Sequence, residues 1–150
     1  MTFEELCARA KSVVNPRRLT DTAEAGGVGA ALLTRNGNVY CGVCIDTACS
    51  MGFCAEHAAA AAMVTAGESA VAKMVAVSWD GTVLPPCGRC REFIHQLHED
   101  NGDAQVMVAP GVIVRLRDLL PHDWRVQKAA GAVDGGRPTK GGLAHGDVGA

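Results

Sequence analysis

The sequence has no block of lysine or arginine: 14 such residues are set against 16 acidic ones, which gives a net charge of −2. Proteins that bind mainly to nucleic-acid phosphates need such a block, because their affinity comes from neutralising those charges. The sequence also has no apolar run long enough to span a bilayer. Its first residues, with Glu4 and Glu5 close behind Met1, lack the basic-then-apolar order of a secretory signal. These absences favour a cytoplasmic protein that acts on a small free substrate, with no nucleic acid and no membrane as partner.

No internal repeat is evident, and 150 residues fit one domain with a substantial core. From about residue 126 onward the composition shifts to glycine among small and polar residues. Such a segment buries too little apolar surface to offset its ordering entropy. We therefore predict a folded domain over residues 1–125, followed by a flexible tail over residues 126–150 that a partner subunit could order in part.

Periodicity and turn signals predict alternating helices and strands. The predicted helices cover residues 2–14, 53–66, 88–100 and 117–120; the predicted strands cover 28–34, 39–45, 73–79, 105–109 and 112–114; residues 15–26 and 46–52 are predicted loops. A helix precedes residues 73–79, so we expect a parallel strand reached by a crossover. The turn at Pro110-Gly111 leaves no room for a crossover helix, so the last two strands should be antiparallel.

Three cysteines stand at the starts of two predicted helices. Cys54 comes two residues before Glu56, and Cys87 and Cys90 are three apart, which puts both on one helical face. Three thiolates would hold one Zn²⁺ and leave its fourth position for water, as in a catalytic zinc site. Glu56 would stand beside that position without binding the ion. This suits a carboxylate that moves protons during catalysis.

The charge of this site needs balancing. Helix starts favour negative charge, because their N–H groups are unpaired and the helix dipole is positive there, and this helps to keep the thiols ionised. Three thiolates, however, make a metal-bound water harder to deprotonate unless a cation lies nearby. Arg89, Arg91 and His57 are the candidates, and we place His57 and Arg91 next to the ligands.

The spacing of the cysteines alone also permits two other interpretations. Cys41 and Cys44 could join the later pair in a four-cysteine zinc ribbon, but residues three apart in a strand point to opposite faces. The thiols could also be inert and buried. Seven cysteines are an odd number, which agrees with free or metal-bound thiols. Of the four cysteines outside this site, Cys7, Cys41 and Cys49 are predicted to be small buried hydrophobes. The histidines other than His57, namely His95, His98, His122 and His145, are predicted to lie on exposed faces or in the tail.

Residues 54–56 (Cys-Ala-Glu) and 86–91 (Pro-Cys-Gly-Arg-Cys-Arg) together resemble the zinc-dependent cytidine deaminases. The resemblance runs over residues 28–124, and residues 88–91 and 119–121 are similar to the blasticidin-S deaminase group within that family. The resemblance implies an α/β fold, a three-layer α/β/α sandwich with a mixed five-stranded sheet. It also implies the free-nucleoside branch, whose last two strands are antiparallel, and a homotetramer in which neighbouring subunits complete each site.

The same resemblance implies the chemistry and the role of each residue. Zn²⁺ held by Cys54, Cys87 and Cys90 would activate a water that attacks C4 of a cytosine ring. Glu56 would carry the proton to N3 and then to the departing ammonia, and the backbone N–H of Ala55 would hold the pyrimidine O2. Trp124 is a hypothetical contributor to a neighbouring subunit's pocket.

The sequence departs from the family pattern at the sugar-binding end. The family has an Asn-x-Glu pair that reaches the ribose hydroxyls, where this chain has Cys44 and Asp46. Asp46 can still accept a hydroxyl, but a thiol is a poor hydrogen-bonding group beside an amide. Gly26 replaces an aromatic residue, and His57 replaces an arginine. We therefore predict a hydrolytic deaminase of a cytidine-like small nucleoside. The alternatives are a deaminase of a modified or antibiotic nucleoside such as blasticidin S, or of another amino-heterocycle, and a non-catalytic zinc or thiol module.

Overall fold

The structure, a computed structural model, describes residues 1–126. The predicted tail beyond Val126, and His145 within it, lie outside the described residues. The helices are α1 (Phe3–Ser12), α2 (Ala55–Thr65) and α3 (Gly88–Leu97); the strands are β1 (Arg17–Thr20), β2 (Ala23–Thr34), β3 (Val39–Thr47), β4 (Val71–Ser78), β5 (Val83–Leu84), β6 (Gln105–Ala109) and β7 (Val112–Arg115). Over residues 1–126, no helix combines the length and the apolar character needed to cross a membrane.

All strands belong to one mixed sheet, whose main order is β3-β2-β4-β6-β7. Strand β2 pairs antiparallel with both β3 and β4, so β3 and β4 run in the same direction with β2 between them. Strand β4 pairs parallel with β6, and β6 pairs antiparallel with β7. The mixed sheet and its antiparallel last pair are confirmed.

Two short strands were not predicted, so the sheet has seven strands rather than five. Strand β1 lies in the predicted loop of residues 15–26 and forms a hairpin with β2. All four of its residues are exposed, so it carries no alternation of apolar and polar residues. Strand β5 has only two residues, too few for any periodic signal, and it pairs with β4 across the turn at Asp80-Gly81.

Strand β2 begins at Ala23, five residues earlier than predicted and inside the predicted loop of residues 15–26. Two further predicted boundaries were also wrong. The helix predicted over residues 88–100 ends at Leu97, because His98 adopts an extended conformation and a separate 3₁₀ helix follows over Glu99–Asp103. The loop predicted over residues 46–52 begins later, since β3 continues to Thr47 and a 3₁₀ turn covers Ala48–Ser50. The first boundary is set by His98, which caps the 3₁₀ helix, and the second by the pairing of Thr47 with Ala23 of β2.

The sheet separates two helical layers. Leu33 of β2 faces α1 together with Val75 of β4, whereas Leu32 faces α2 and α3 together with Met74. This alternation follows from the two-residue period of strand side chains. The predicted three-layer α/β/α sandwich is therefore confirmed, and the starts of α2 and α3 lie on the same side of the sheet.

Helix α2 lies very close to β3. Its alanines Ala59 and Ala60 are fully buried, and a Cβ added at Gly42 of β3 would lie 2.6 Å from the Ala58 Cβ and closer still to the Ala59 backbone. Such a distance is shorter than van der Waals contact allows. Gly42 therefore sets how near α2, and with it Cys54 and Glu56, can come to the sheet.

Gly42→Ala is expected to lower the free energy of unfolding by about 1–3 kcal/mol, because the extra methyl group overpacks this contact. The matched control is Gly88→Ala at the first residue of α3, where an added Cβ meets nothing within 4 Å. That change should be neutral or stabilising by about 0.4–1 kcal/mol. Denaturant unfolding of both variants measures the difference. Equal stabilities would show that the contact between α2 and β3 tolerates a side chain.

Candidate active site

Two helix starts bring three thiols together. Cys54 is the N-cap residue of α2 and Cys87 is the N-cap residue of α3, while Cys90 lies in the first turn of α3. Their sulfur atoms all lie within 4.8 Å of one another. The Cys54 and Cys87 sulfurs are 3.6 Å apart, and those of Cys87 and Cys90 are 3.5 Å apart. Zn–S bonds of about 2.3 Å at tetrahedral angles separate sulfurs by about 3.8 Å, so these side chains could hold one such ion.

The four-cysteine ribbon is ruled out by the position of the other pair. Cys41 and Cys44 both lie in the uninterrupted strand β3. Cys41 packs against the core that contains α1, whereas Cys44 packs on the opposite face near Ala55. Within residues 1–126, the group Cys54, Cys87 and Cys90 is the only cluster of three or more such side chains that could hold a metal ion. The prediction that Cys49 is buried was wrong, since it is exposed in the 3₁₀ turn after β3.

The environment affects the three thiols differently. Burial opposes ionisation of Cys87, but hydrogen bonds, among them one from the Cys90 backbone N–H at 3.5 Å, outweigh it and leave the pKa of Cys87 below its ordinary value. Burial raises the pKa of Cys54 and, much further, that of Cys90. A bound cation would supply the charge that these buried thiols need to ionise.

Glu56 stands in the first turn of α2, directly beside this cluster. It is only 4% exposed, and burial raises the pKa of its carboxyl. Its carboxylate is not part of the metal-binding group, but it lines the same cavity as Cys54 and Cys87. A raised pKa makes it easier for this carboxyl to take up a proton as well as to release one.

The predicted neighbours of the ligands take two different positions. His57 Nδ1 lies 3.4 Å from the Cys90 sulfur, and its ring stacks on Phe93 at 4.4 Å between centroids. Burial lowers the pKa of His57, and the nearby Arg89 lowers it further, which favours the neutral form of the ring. Arg91 donates instead to the backbone carbonyls of Pro86 at 2.7 Å and Leu119 at 3.3 Å. It thereby holds the loop that leads to Cys87.

A cavity of about 580 Å³ opens over Cys54, Cys87 and Glu56. Its apolar wall consists of Val28, Phe53, Ala76, Leu84 and Pro85; its other lining residues are Cys44, Asp46, Thr47, Ser50, Gly52, Cys54, Ala55, Glu56, Cys87 and Arg89. Three of the predicted substrate-binding residues, Cys44, Asp46 and Ala55, thus line one cavity. Its size is typical of a site for a small molecule.

We call the part of the cavity lined by Asp46, Thr47 and Ser50 its polar end. Two of these residues were not assigned to the substrate from the sequence. Thr47 and Ser50 lie in the predicted loop of residues 46–52, where no spacing pattern singles them out. The Thr47 hydroxyl is buried and has no hydrogen-bond partner among the described residues. Cys44 is engaged, because its sulfur accepts a hydrogen bond from the Val28 backbone N–H at 3.3 Å. Asp46, Thr47 and Ser50 therefore offer the stronger hydrogen-bonding groups at this end.

Two predictions concern residues away from this cavity. Trp124 is not among the residues that line it; its indole N–H donates to Glu92 at 2.8 Å. His95 is not on an exposed face as predicted, since its side chain is 15% exposed and lies 3.8 Å from Asp123. Asp123 belongs to the turn that follows Pro121, and this turn brings it beside His95. The sequence of the turn has no periodicity that would predict this contact.

Relatives of the whole chain bear on the use of this cavity. No protein-family model matches the chain. Cytidine deaminases from two strains of Mycobacterium tuberculosis, CDC 1551 / Oshkosh and ATCC 25618 / H37Rv, are each 36% identical to it over 95 residues, which cover 63% of this chain and 69% of theirs. The chain belongs to the cytidine deaminase family. This membership confirms the resemblance carried by residues 54–56 and 86–91.

Solved structures of the family agree with the fold. The cytidine deaminase of Mycobacterium tuberculosis has a TM-score of 0.69 at 27% identity and covers 83% of this chain and 98% of its own. The enzyme of Burkholderia pseudomallei has a TM-score of 0.65 at 27% identity, over 81% and 98%. The cytidine deaminase of Mycobacterium leprae, at 22% identity, shares the fold with a TM-score of 0.68 over 81% and 99%.

Proposed function

We propose that this member of the cytidine deaminase family is a zinc-dependent hydrolytic deaminase that replaces the 4-amino group of a cytidine-like small nucleoside with a carbonyl and releases ammonia. The observation that carries the proposal is the meeting of three thiols, two of which line one cavity together with a buried carboxyl, while the third, Cys90, lies directly behind them. Bound by Cys54, Cys87 and Cys90, a zinc ion would supply Lewis-acid activation of water.

The chain's own groups provide the proton transfers and the orientation of the ring. Glu56 takes a proton from the attacking water and gives it to ring N3, then carries the second proton to the departing amino group, so that water and amine become carbonyl and ammonia. Ala55 is the first residue of α2, where N–H groups have no partner within the helix. Its N–H donates to the pyrimidine O2, and the apolar wall covers the ring.

The sugar lies at the polar end of the cavity in this proposal. The Asp46 carboxylate lines that end and accepts a hydrogen bond from a sugar hydroxyl. Cys44 contributes shape rather than hydrogen bonding, because its sulfur is held by the Val28 N–H. A sugar bound in this way differs from one held by an Asn-x-Glu pair, which leaves room for modified nucleosides such as blasticidin S.

We further propose the organisation that the family membership favours. Residues 1–125 form the catalytic domain and residues 126–150 a separate glycine-rich tail. The protein is a cytoplasmic homotetramer, and Trp124, which is half exposed, contributes to a neighbouring subunit's pocket. His57 and Arg91 support the metal ligands, His57 through the Cys90 sulfur and Arg91 through Pro86.

A panel of aminopyrimidines tests the reaction. Zinc-loaded protein is incubated with cytosine, cytidine, deoxycytidine and blasticidin S, and ultraviolet absorbance and ammonia are followed together. We expect at least one nucleoside to lose its 4-amino group with one ammonia released per molecule. Free cytosine should react poorly, because it makes no contacts at the polar end. Zinc-loaded protein that releases ammonia from none of them would instead be the non-catalytic zinc module.

A further inference from the structure

Arg89 is the one lysine or arginine among the described residues that line the cavity. Its side chain is exposed, and its guanidinium makes one long hydrogen bond, 3.5 Å from Nη1 to the Gly52 carbonyl oxygen. Over residues 1–126, no carboxylate forms an ion pair with it, whereas Arg18, Arg35, Arg115, Arg117 and Arg125 each have at least one. A planar guanidinium with free donors, held in the wall of a cavity, is suited to a carboxylate or phosphate.

The contact with Gly52 shows which end of the cavity Arg89 faces. Gly52 belongs to the segment that also carries Asp46, Thr47 and Ser50, all of which line the cavity. Arg89 therefore reaches from the start of α3 to the polar end rather than to the apolar wall. That end combines the Asp46 carboxylate, which can accept a hydrogen bond from a hydroxyl group, with the positive charge of Arg89. A sugar that carries both hydroxyl groups and an acidic group would satisfy both.

We propose that Arg89 recognises an anionic group on the non-reacting end of the substrate, so that this deaminase prefers cytosine nucleosides that bear a phosphate or carboxylate over neutral cytidine. The inference rests on the proposed function and names the substrate class of that same cavity. The anion displaces the weak contact with Gly52 and gains two parallel N–H···O hydrogen bonds from the guanidinium. Neutral cytidine has no anionic group that could accept these two hydrogen bonds.

Arg89 could instead act on the metal ligands. Arg89 lies between Cys87 and Cys90 in sequence, and its charge could act on the thiolates alone. In that case its loss would weaken zinc binding and would slow every substrate by the same factor. Anion recognition instead changes the ratio between charged and neutral substrates and leaves zinc content intact.

The test uses three matched compounds: cytidine, cytidine 5′-monophosphate and the 5′-carboxylate analogue of cytidine. For zinc-loaded protein we expect kcat/KM to be about tenfold or more higher for at least one anionic compound than for cytidine, which corresponds to one charged hydrogen-bonded contact. This ratio should fall at higher ionic strength, because the contact is open to solvent. The two anionic compounds show whether phosphate or carboxylate is the preferred group.

Arg89→Gln should bring the ratio close to one, Arg89→Lys should keep part of it, and Arg9→Gln, the same change on exposed α1 across the sheet, should leave it as in the unchanged protein. Zinc content and calorimetric binding of the three compounds to the zinc-loaded Glu56→Gln variant are measured in parallel. Equal preference in the unchanged protein, or an equal loss for all compounds together with zinc loss in Arg89→Gln, overturns the inference. Binding that depends on Arg89 without any deamination overturns the proposed function and leaves anion recognition standing.

Discussion

Replacing Glu56 with glutamine should leave the fold and the zinc content unchanged and lower kcat by about 10²- to 10⁴-fold, the range that one general acid–base group contributes. The amide has nearly the shape of the carboxyl, so the buried position beside the cysteines stays filled. It cannot take a proton from water and deliver it to the ring. Substrate affinity should change far less than turnover, because the sugar contacts are untouched.

Steady-state kinetics with the best nucleoside from the panel, together with zinc analysis of the same sample, checks this result. Glu4→Gln is the matched control, since Glu4 is exposed in the first turn of α1. A Glu56→Gln enzyme that keeps a tenth or more of the turnover would remove Glu56 from the proton transfers. Loss of zinc in that variant would instead assign Glu56 to the metal.

Replacing Cys87 with serine should lower the zinc content from about one ion per chain to nearly none and abolish turnover. The hydroxyl of serine does not ionise near neutral pH, so two thiolates would remain at a site that binds through ionised sulfur. Cys87 is exposed, so the variant should still fold. Its stability in added zinc should drop, because an ion at 1,000 times its Kd stabilises a protein by about 4 kcal/mol.

Cys49→Ser is the matched control, because Cys49 is also exposed and lies outside the cluster. It should bind zinc and turn over substrate as the unchanged protein does. A strong chelator added to the unchanged protein should reproduce the loss of thermal stability and activity seen with Cys87→Ser, and added zinc should restore both. Full zinc content in Cys87→Ser would mean that the three thiols do not share an ion.

Local sequence patterns predicted much of the fold. The hairpin of β2 and β3 follows from Asn36-Gly37, and the antiparallel pair β6 and β7 follows from Pro110-Gly111, because short turns permit one connection only. The strands that were missed have no such pattern: β1 is exposed throughout, and β5 has two residues. These strands form because β2 and β4 offer them unpaired backbone groups. A short stretch of sequence does not show which backbone groups stay unpaired.

The grouping of the site residues could be predicted for a similar reason. Cys54, Glu56, Cys87 and Cys90 all stand within one turn of a helix start, and within one turn the helix geometry fixes which side chains lie together. Their joint placement needs only that the two helix starts meet on one side of the sheet. Cys41 and Cys44 were separated correctly, because strand geometry is equally local.

The sequence by itself determined that Cys54, Cys87 and Cys90 come together with Glu56 beside them, since this follows from spacing at the starts of single helices. The layer order was predicted from the family resemblance. Only the tertiary structure decided that Arg91 holds backbone carbonyls while Arg89 faces the cavity, that the Cys44 sulfur is engaged by Val28, and that Thr47 and Ser50 join the polar end. Those outcomes depend on contacts between segments far apart in the chain. A long side chain takes whichever partner the fold brings within reach, and no spacing along the sequence specifies that partner.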